Sequence, residues 1–387
     1  MKFSSLQRVL VVLSVSSVSF LATAQTSDLN VVTSAVPFLR ISPDARAGGM
    51  GDVGIATNPD ANSAFWNLAK TPFTKTKSGI SFTYTPWLKD LGLNDVYLAS
   101  GTGYYKLDDQ QALSASLRYF SLGNIQFTDF AGNDLNSFRP RELGIDIGYS
   151  RKLNEKLSLG FAARYISSSL ANGNVGGVTY KTGSAVAADI SLYHDGNGKD
   201  GEGFSYGVVL SNLGSKIGYT NDAQNKDYIP ANLGIGVAYT SVFDESNRIT
   251  FGLDMNRLLV PTPPLATGST STDSANLAGY RSKSVISSYF SSFGDAGGFG
   301  NELKKFQVSL GAEYVYNEQF AVRAGYFYED VSQGNRKYFT AGLGLKYNVI
   351  GINLSYLIPS GQGITRNPLS NTLRFGISFD LDGGNGK

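Results

Sequence analysis

The residues that most often carry catalysis are scarce in this chain. His194 is the single histidine, and the chain has no cysteine. A nucleophile activated by histidine would have to use His194, and no nucleophile-elbow motif accompanies it. Paired carboxylates from different strands remain an open alternative. The composition favours a protein that is not an enzyme.

Two glycine-rich segments have the form of ligand-binding loops. Residues 49–54 (GMGDVG) match the dinucleotide pattern, but a proline and charged residues precede them and no βαβ unit follows. Residues 195–201 (DGNGKDG) loosely resemble a calcium loop, but Lys199 stands where an oxygen ligand is needed. We predict a tight irregular backbone at the first and a polar turn at the second, without metal or cofactor.

Period-two alternation of apolar and polar residues dominates the rest of the chain. In the last such segment, Leu373, Phe375 and Ile377 alternate with smaller or polar residues. Successive side chains of a strand point to opposite faces, so each segment has one apolar and one polar face. Fourteen segments follow this pattern: about 80–87, 96–106, 112–122, 141–151, 157–168, 184–193, 204–211, 232–241, 249–258, 305–316, 320–329, 338–347, 351–358 and 372–381. The pattern predicts an all-β fold, an antiparallel transmembrane β-barrel.

Charged residues occur on the polar phase of these segments, where a barrel directs them into its lumen. They are Arg118, Asp146, Arg164, Asp189, Asp254, Glu313, Arg323 and Arg374. Opposite charges can fill a lumen as packing, or they can line a conduit. Their mixed sign predicts no preference for one kind of ion.

The connections alternate in length. Short ones lie at 152–156, 317–319 and 348–350, and long ones at 123–140, 169–183, 212–231, 259–304 and 359–371. Outer-membrane barrels have short periplasmic turns and long extracellular loops. With an even strand count, we expect both termini on the periplasmic side.

The first 24 residues have the features of a secretory signal peptide. Lys2 and Arg8 precede an apolar run, and Ala22-Thr23-Ala24 forms a small-residue cleavage site. No segment is long enough for a membrane-spanning helix. Removing residues 1–24 leaves 31 basic and 31 acidic residues, which argues against a nucleic-acid partner. The barrel is expected to contact outer-membrane lipid.

Residues 25–79 lack the alternation, and we expect an irregular segment that plugs the barrel formed by residues 80–387. A short helix is predicted around Ala61 to Lys70, capped by Asp60 or Asn62.

The connection at 259–304 differs from an ordinary polar loop because it is rich in apolar side chains. A disordered surface loop is the simpler interpretation, but such loops rarely carry so many aromatic residues. Exposed aromatics more often mark a docking surface or a segment folded into a pore. We favour docking, with these side chains as apolar anchors for a partner: Leu259, Val260, Tyr289, Phe290, Phe293 and Phe299.

Residues 39–57 and 60–67 resemble the N-terminus of the PorV (LptO) family, outer-membrane components of the type IX secretion system of Bacteroidetes. The resemblance extends over the whole chain. Leu68 stands where the family pattern has a proline, which is expected to relax one turn. The motif residues in this sequence are Pro43, Asp44, Arg46, Gly48, Gly49, Gly51, Asp52, Trp66 and Asn67.

The resemblance implies a FadL-like barrel of about fourteen strands in which the N-terminal segment is a hatch. It also implies a shuttle that receives cargo by its C-terminal signal domain at an SprA/Sov translocon. Delivery is then to a PorU-containing attachment complex with sortase activity. The alternative is a FadL-like transporter of hydrophobic small molecules, with a lateral opening where Gly101 and Gly103 kink the second strand. A general porin is a third possibility.

Overall fold

The computed structural model describes residues 31–89, 92–128, 131–175, 178–222, 225–359 and 371–381. The predicted signal peptide lies outside the described residues. The strands are β1 (Ser78–Pro86), β2 (Val96–Lys106), β3 (Gln111–Leu122), β4 (Ile125–Thr128), β5 (Asp134–Phe138), β6 (Arg141–Lys152), β7 (Leu157–Ser169), β8 (Gly173–Val175), β9 (Val178–Tyr180), β10 (Gly183–His194), β11 (Gly203–Gly214), β12 (Asn232–Val242), β13 (Asn247–Leu258), β14 (Phe306–Tyr316), β15 (Phe320–Tyr328), β16 (Lys337–Tyr347), β17 (Ile350–Pro359) and β18 (Leu373–Asp380).

Fourteen of these strands form one closed antiparallel barrel. Each pairs with its neighbours along the chain, and β1 closes the sheet by pairing with β18, with Tyr84 opposite Phe375. The remaining strands form two separate hairpins, β4–β5 and β8–β9, within connections. The predicted fold class is confirmed, and the predicted barrel strands agree with the observed ones to within a few residues.

Exposure alternates along the strands as the sequence pattern predicts. In β18, Leu373 and Phe375 are half exposed on the outer wall, whereas Arg374 between them is buried in the lumen. Bands of exposed Phe, Tyr, Leu and Val cover the outside of the other strands in the same way. An apolar outer wall is what a barrel needs in lipid, since only alternate residues face the hydrocarbon.

The two ends of the barrel differ. At one end, here called the short-turn end, residues 153–156, 243–246, 317–319 and 348–349 connect the strands. The opposite, long-loop end carries both hairpins and the connection between β13 and β14. That connection contains three helices: α3 (Thr270–Ser282), α4 (Val285–Ser291) and α5 (Phe299–Lys304).

The described residues before β1, which we call the hatch (residues 31–77), lie inside the barrel. The hatch contains a 3-10 turn (Pro37–Arg40), α1 (Ala45–Gly49), α2 (Ser63–Trp66) and a second 3-10 segment (Leu68–Phe73). The predicted helix at 61–70 is therefore broken at Asn67, whose extended backbone ends α2. Asn62 is the N-cap residue of α2 but makes no capping hydrogen bond with its side chain. None of the described helices is long and apolar enough to cross a membrane.

The hatch begins at the long-loop end. The Ala35 amide donates to the Tyr228 carbonyl (2.9 Å), and Phe38 stacks on Phe120 with ring centroids 6.5 Å apart. The chain then descends through the lumen and enters β1 at the short-turn end, where β18 also ends. The start of β1 and the end of β18 thus lie at the same end of the barrel, as expected for an even strand count. The first described residues of the hatch lie at the opposite, long-loop end.

Glycines of the wall let the hatch backbone approach it. A Cβ atom on Gly325 would lie 2.1 Å from the Gly51 amide nitrogen, and one on Gly311 would lie 2.4 Å from the Met50 carbonyl oxygen. Gly51 itself has a positive φ of 69°, a region that favours glycine. Neither the wall glycines nor the hatch backbone has room for another atom where they meet.

We expect Gly325→Ala to dislodge the hatch while the barrel remains closed, because the added methyl group meets backbone atoms that cannot rotate away. The cost should be about 1–3 kcal/mol of hatch stability, as for other overpacked sites. Limited trypsin cleavage at Arg46, now exposed, measures the effect, and heat-modifiable gel mobility checks the barrel.

The matched control is Gly101→Ala, on the lipid-facing side of β2, where the atoms nearest the new Cβ would belong to the exposed ring of Phe82, at 3.1 Å. That variant should resist trypsin like the unmodified protein. Equal protection of Arg46 in both variants would contradict the close-packing argument.

Candidate functional sites

The predicted hatch motif forms one connected structure within the lumen. Asp44 caps α1 by accepting from the Ala47 amide (2.8 Å), and its second oxygen accepts from the Trp66 indole nitrogen. The Trp66 ring occupies the space beside Gly54, where a Cβ would lie 2.4 Å from the ring. The Pro43 carbonyl accepts from the Ser100 hydroxyl on β2. The motif thus ties α1, α2 and the barrel wall together.

The glycines of the motif lie against β14 to β18. Gly51 donates its amide to the Thr340 hydroxyl (2.8 Å), which itself donates to the Gly49 carbonyl (3.0 Å). Gly48 lies against Arg374, leaving no room for a side chain. Asp52 accepts from the Tyr338 hydroxyl (2.7 Å) and lies 3.7 Å from the Arg374 guanidinium.

Arg46 makes a bidentate ionic contact between hatch and wall. It binds both oxygens of Glu313 on β14, at 2.7 and 3.0 Å, and reaches Asp60 of the hatch at 2.9 Å. Glu313 is bound in turn by Arg323 on β15 at 2.6 Å. Burial disfavours the charged guanidinium, but Glu313 and Asp60 hold the pKa of Arg46 above its ordinary value. A buried carboxylate shared by two arginines thus links the hatch to β14 and β15.

Further hydrogen bonds hold the lower part of the hatch. Asp254 on β13 accepts from the amides of Gly54 (2.7 Å) and Ile55 (2.9 Å). Asn67 donates to the carbonyl of Leu192 on β10 at 3.0 Å. Lys70 donates to the Gly54 carbonyl at 2.7 Å, and burial lowers its pKa to about 8. Hydrogen bonds and ion pairs thus hold the hatch to strands around the barrel.

The charged residues predicted to face the lumen do so. Arg164 pairs with Asp146 and, at 2.9 Å, with Asp189, which joins β6, β7 and β10. Arg118 on β3 donates to the Leu39 carbonyl of the hatch at 2.7 Å and lies 4.9 Å from the ring of Phe65. Sequence reasoning placed these side chains inside but could not identify their hatch partners.

The hatch divides the lumen into two cavities. The long-loop cavity has a volume of about 330 Å³ and is lined by the hatch 3-10 turn, by Trp66 and Trp87, and by Phe120. The short-turn cavity, of about 480 Å³, is lined by residues such as Lys75, Arg248 and Glu318. Hatch residues line both cavities, so the described chain lies across the path between the two ends.

The connection between β13 and β14 is an ordered structure anchored to the barrel rim. Arg257, near the end of β13, is buried, pairs with Glu302 of α5 and lies 4.7 Å from the ring of Phe293. Asp295 accepts from both the amide (2.7 Å) and the hydroxyl (2.9 Å) of Thr262. The Tyr289 hydroxyl accepts from the amide of Gly214 at 2.9 Å. The loop helices are therefore held in place on β11 and β13.

The residues predicted as partner anchors fall into two groups. Leu259 and Val260 are 4% and 1% exposed, so they pack beneath the loop and present nothing to a partner. Phe290 and Phe299 are 76% and 80% exposed, and Phe293 is about half exposed. Tyr289 is partly buried, and its hydroxyl binds the Gly214 amide at the barrel rim. Ile286, 70% exposed on α4, is a further apolar side chain that the sequence analysis did not include.

The structure also shows two other predicted features, the glycine-rich segment 195–201 and the proposed kink in β2. Residues 195–201 form the polar connection between β10 and β11, and no group of three potential metal ligands occurs in the described part of the chain. β2 pairs in unbroken register with β1 and β3 across Gly101 and Gly103, so no kink opens there. The irregularity lies instead between β10 and β11, at Asp189 and Asn212.

Comparisons with known proteins agree with this architecture. The family model described as "Type IX secretion system protein PorV" matches residues 24–265, well over half of the chain. No curated protein sequence matches this chain. Among solved structures, the chain is similar to the CymD monoaromatic hydrocarbon channel (TM-score 0.52, 12% identity, covering 88% of this chain and 98% of that one).

Two further solved structures, both of FadL-family barrels, were also found to be similar to the chain. One is a deltaS2S3 mutant of the TodX monoaromatic hydrocarbon channel (TM-score 0.50, 12% identity, covering 87% of this chain and 98% of that one). The other is the toluene transporter TbuX of Ralstonia pickettii (TM-score 0.49, 12% identity, covering 91% and 97%). At these identities the likeness concerns the fold alone.

Glu313→Gln should loosen the hatch strongly, because it leaves Arg46 and Arg323 buried without their shared carboxylate. Breaking a buried ion pair costs on the order of 3–5 kcal/mol. Hydrogen exchange of the amides of residues 45–55 should show a correspondingly lower opening free energy.

Glu318→Gln is the matched control, since Glu318 is half exposed and pairs with Lys75 and Arg248 at the short-turn end. Exposed pairs contribute about 1 kcal/mol or less, so hatch protection should change little. If both variants exchange at the same rate, the Glu313 contact does not hold the hatch.

Proposed function

This chain belongs to the PorV family of type IX secretion system proteins, and from this premise we propose that it is an outer-membrane shuttle for secreted cargo. It binds the C-terminal signal domain of cargo at an SprA/Sov-type translocon and delivers it to the PorU-type sortase of the attachment complex. The long-loop end faces the cell exterior and the short-turn end the periplasm.

The observation that carries the proposal is the ordered set of loop helices with exposed apolar side chains. Large apolar side chains on a rigid, water-exposed element are unfavourable unless a partner covers them. The set consists of Ile286, Phe290 and Phe299, with Phe293 beside them at the rim. Buried aromatic side chains are frequent anchors of protein interfaces. Phe290 and Phe299 are therefore our candidates for contact with the translocon or the cargo.

The closed lumen also supports a binding protein over a general porin. Buried ion pairs and backbone contacts hold the hatch across the lumen, whereas a porin needs an open aqueous path. A partner that docks on the loop helices needs no such path.

A second candidate function is transport of hydrophobic small molecules, which the long-loop cavity favours. That cavity contains aromatic side chains of both hatch and wall. Against it stands the unbroken pairing of β1, β2 and β3, which leaves no lateral opening at Gly101 or Gly103.

The deciding experiment is a mild-detergent pull-down of the tagged protein from its native outer membrane, with the co-purifying chains identified by mass spectrometry. We expect a very large barrel together with proteins that share a C-terminal domain. A lone barrel with extractable lipid would overturn the shuttle and support small-molecule transport.

In the same pull-down, the double variant Phe290→Ser, Phe299→Ser should lose at least one of these partners by tenfold or more, as expected when two anchors that each contribute over 1 kcal/mol are removed. Both side chains are already exposed, so folding should not be affected.

The control is Phe243→Ser, which removes a 65% exposed aromatic side chain at the short-turn end. Its partner yield should equal that of the unmodified protein. Full retention of partners by the double variant would exclude these two side chains as anchors.

A further inference from the structure

The connection between β11 and β12, here called the inner connection (residues 215–231), packs on the start of the hatch. Its Ile217 and Ile229 are buried in one apolar cluster with Val36 and Phe38 of the hatch. When one side of such a contact moves away, the apolar surface of the other side loses its cover, which costs free energy. The position of the hatch start therefore depends on the position of the inner connection.

Backbone hydrogen bonds make the inner connection one piece. Ile217 and Asp227 exchange two of them, of 3.0 and 2.8 Å, which join the part that follows β11 to the part that precedes β12. At the base, Asn212 of β11 donates its side-chain amide to the Pro230 carbonyl at 3.0 Å. Asn212 has a positive φ of 57° and lies where the register between β10 and β11 shifts. The inner connection thus leaves the wall at an irregular point of the sheet.

The same connection also holds the end of α3. The Lys216 ammonium donates to the carbonyls of Arg281 and Lys283, each at 2.6 Å. A cation at the last carbonyls of a helix is favourable, because these carbonyls have no partner within the helix. The Arg281 side chain in turn pairs with Asp227 at 2.9 Å. Since α3 has no buried residue, polar contacts such as these hold it in place.

Tyr228 takes part in both attachments. Its carbonyl accepts from the Ala35 amide of the hatch at 2.9 Å. Its hydroxyl donates to the carbonyls of Tyr280 (3.1 Å) and Lys283 (3.0 Å) at the end of α3, and its ring packs edge-on against that of Tyr280. Tyr228 is buried, and a close-packed aromatic side chain transmits a shift from one of its contacts to the other. One residue therefore joins the hatch backbone to the loop helices.

From these contacts we infer that the inner connection couples the loop helices to the hatch. Displacement of α3 releases the start of the hatch (residues 35–41), and a seated hatch start favours the attached position of α3. Such coupling is reciprocal and typically changes an equilibrium about 5- to 150-fold. α3 is the element that moves, because segments with little buried surface open most easily. The inference rests on the proposed function only in naming a docked partner as the cause of the displacement.

The lower part of the hatch is a built-in reference, because it is held by other strands. The Gly51 amide donates to Thr340 on β16, and the Gly54 amide donates to Asp254 on β13. Neither contact involves the inner connection. Displacement of α3 should therefore leave the exchange of these two amides unchanged.

Hydrogen exchange of the full-length, partner-free protein in detergent tests the coupling. Tyr228→Phe removes the hydroxyl that binds α3 but keeps the ring and the carbonyl that binds Ala35. We expect the last turn of α3 and the hatch amides of Ala35 and Ile41 to exchange about fivefold faster, the effect of one lost hydrogen bond. The amides of Gly51 and Gly54 should keep their rates.

Arg281→Met is a second variant, made on α3 itself, where the side chain binds Asp227 and Asn225 of the inner connection. It should have the same pattern with a rise of about two- to fivefold, because a partly exposed ion pair contributes less. Asp273→Asn is the matched control at the other end of α3, where Asp273 accepts from the amide and hydroxyl of Thr267. Its hatch amides should exchange like those of the unmodified protein.

The reverse measurement uses the hatch. Phe38→Ala removes a ring that packs in the shared apolar cluster, and it should speed exchange in the last turn of α3 at least twofold, because coupling acts in both directions. Heat-modifiable gel mobility confirms for every variant that the barrel is closed.

Faster exchange confined to α3 in Tyr228→Phe and Arg281→Met would overturn the coupling, because α3 would then open without the hatch. Unchanged exchange at both places would overturn it too, since these contacts would then not hold α3. An equal rise at Gly51 and Gly54 would mean that the whole hatch loosens, which also contradicts the inference. No partner is present in these measurements, so none of the results bears on the shuttle proposal, which the pull-down tests separately.

Discussion

Charge burial inside a barrel is the constraint on which this structure depends. The wall directs arginines and carboxylates into a lumen that the hatch partly fills, and a buried charge is costly unless it is paired. Glu313 meets this requirement by binding Arg46 of the hatch and Arg323 of the wall. Without the hatch, Asp254 would lose both of its amide donors and Glu313 one of its two arginines. Wall and hatch therefore satisfy each other's buried polar groups.

The same requirement, that buried charges be paired, explains why charged residues have different roles at different levels along the barrel axis. Glu313 and Asp254 of the wall hold the hatch, whereas Arg164, Asp146 and Asp189 pair with one another, and the short-turn cavity is balanced in charge. Only the long-loop cavity, lined by four arginines and two aspartates, retains an excess of arginine. The family is one of type IX secretion proteins, and the fold is a closed antiparallel β-barrel.

The loop helices show how a connection rich in apolar side chains forms an ordered structure. α3 has no buried residue, so its apolar side chains follow no helical period that a sequence could reveal. Its neighbours are held by Arg257, Asp295 and Tyr289, each through contacts to residues distant along the chain. Because such contacts join residues that are far apart in the sequence, Leu259 and Val260 could be predicted as important apolar residues but not as buried ones.

The sequence by itself determined the barrel, because alternation is a local property: each strand repeats its own apolar and polar faces whatever it pairs with. It also indicated the hatch, through a motif near the N-terminus and the absence of alternation there. Only the tertiary structure decided which wall residue meets which hatch residue, since Arg46 and Glu313 are 267 positions apart. It alone decided that mixed lumenal charges separate into a paired set and an unpaired one, because charge balance depends on distances in space.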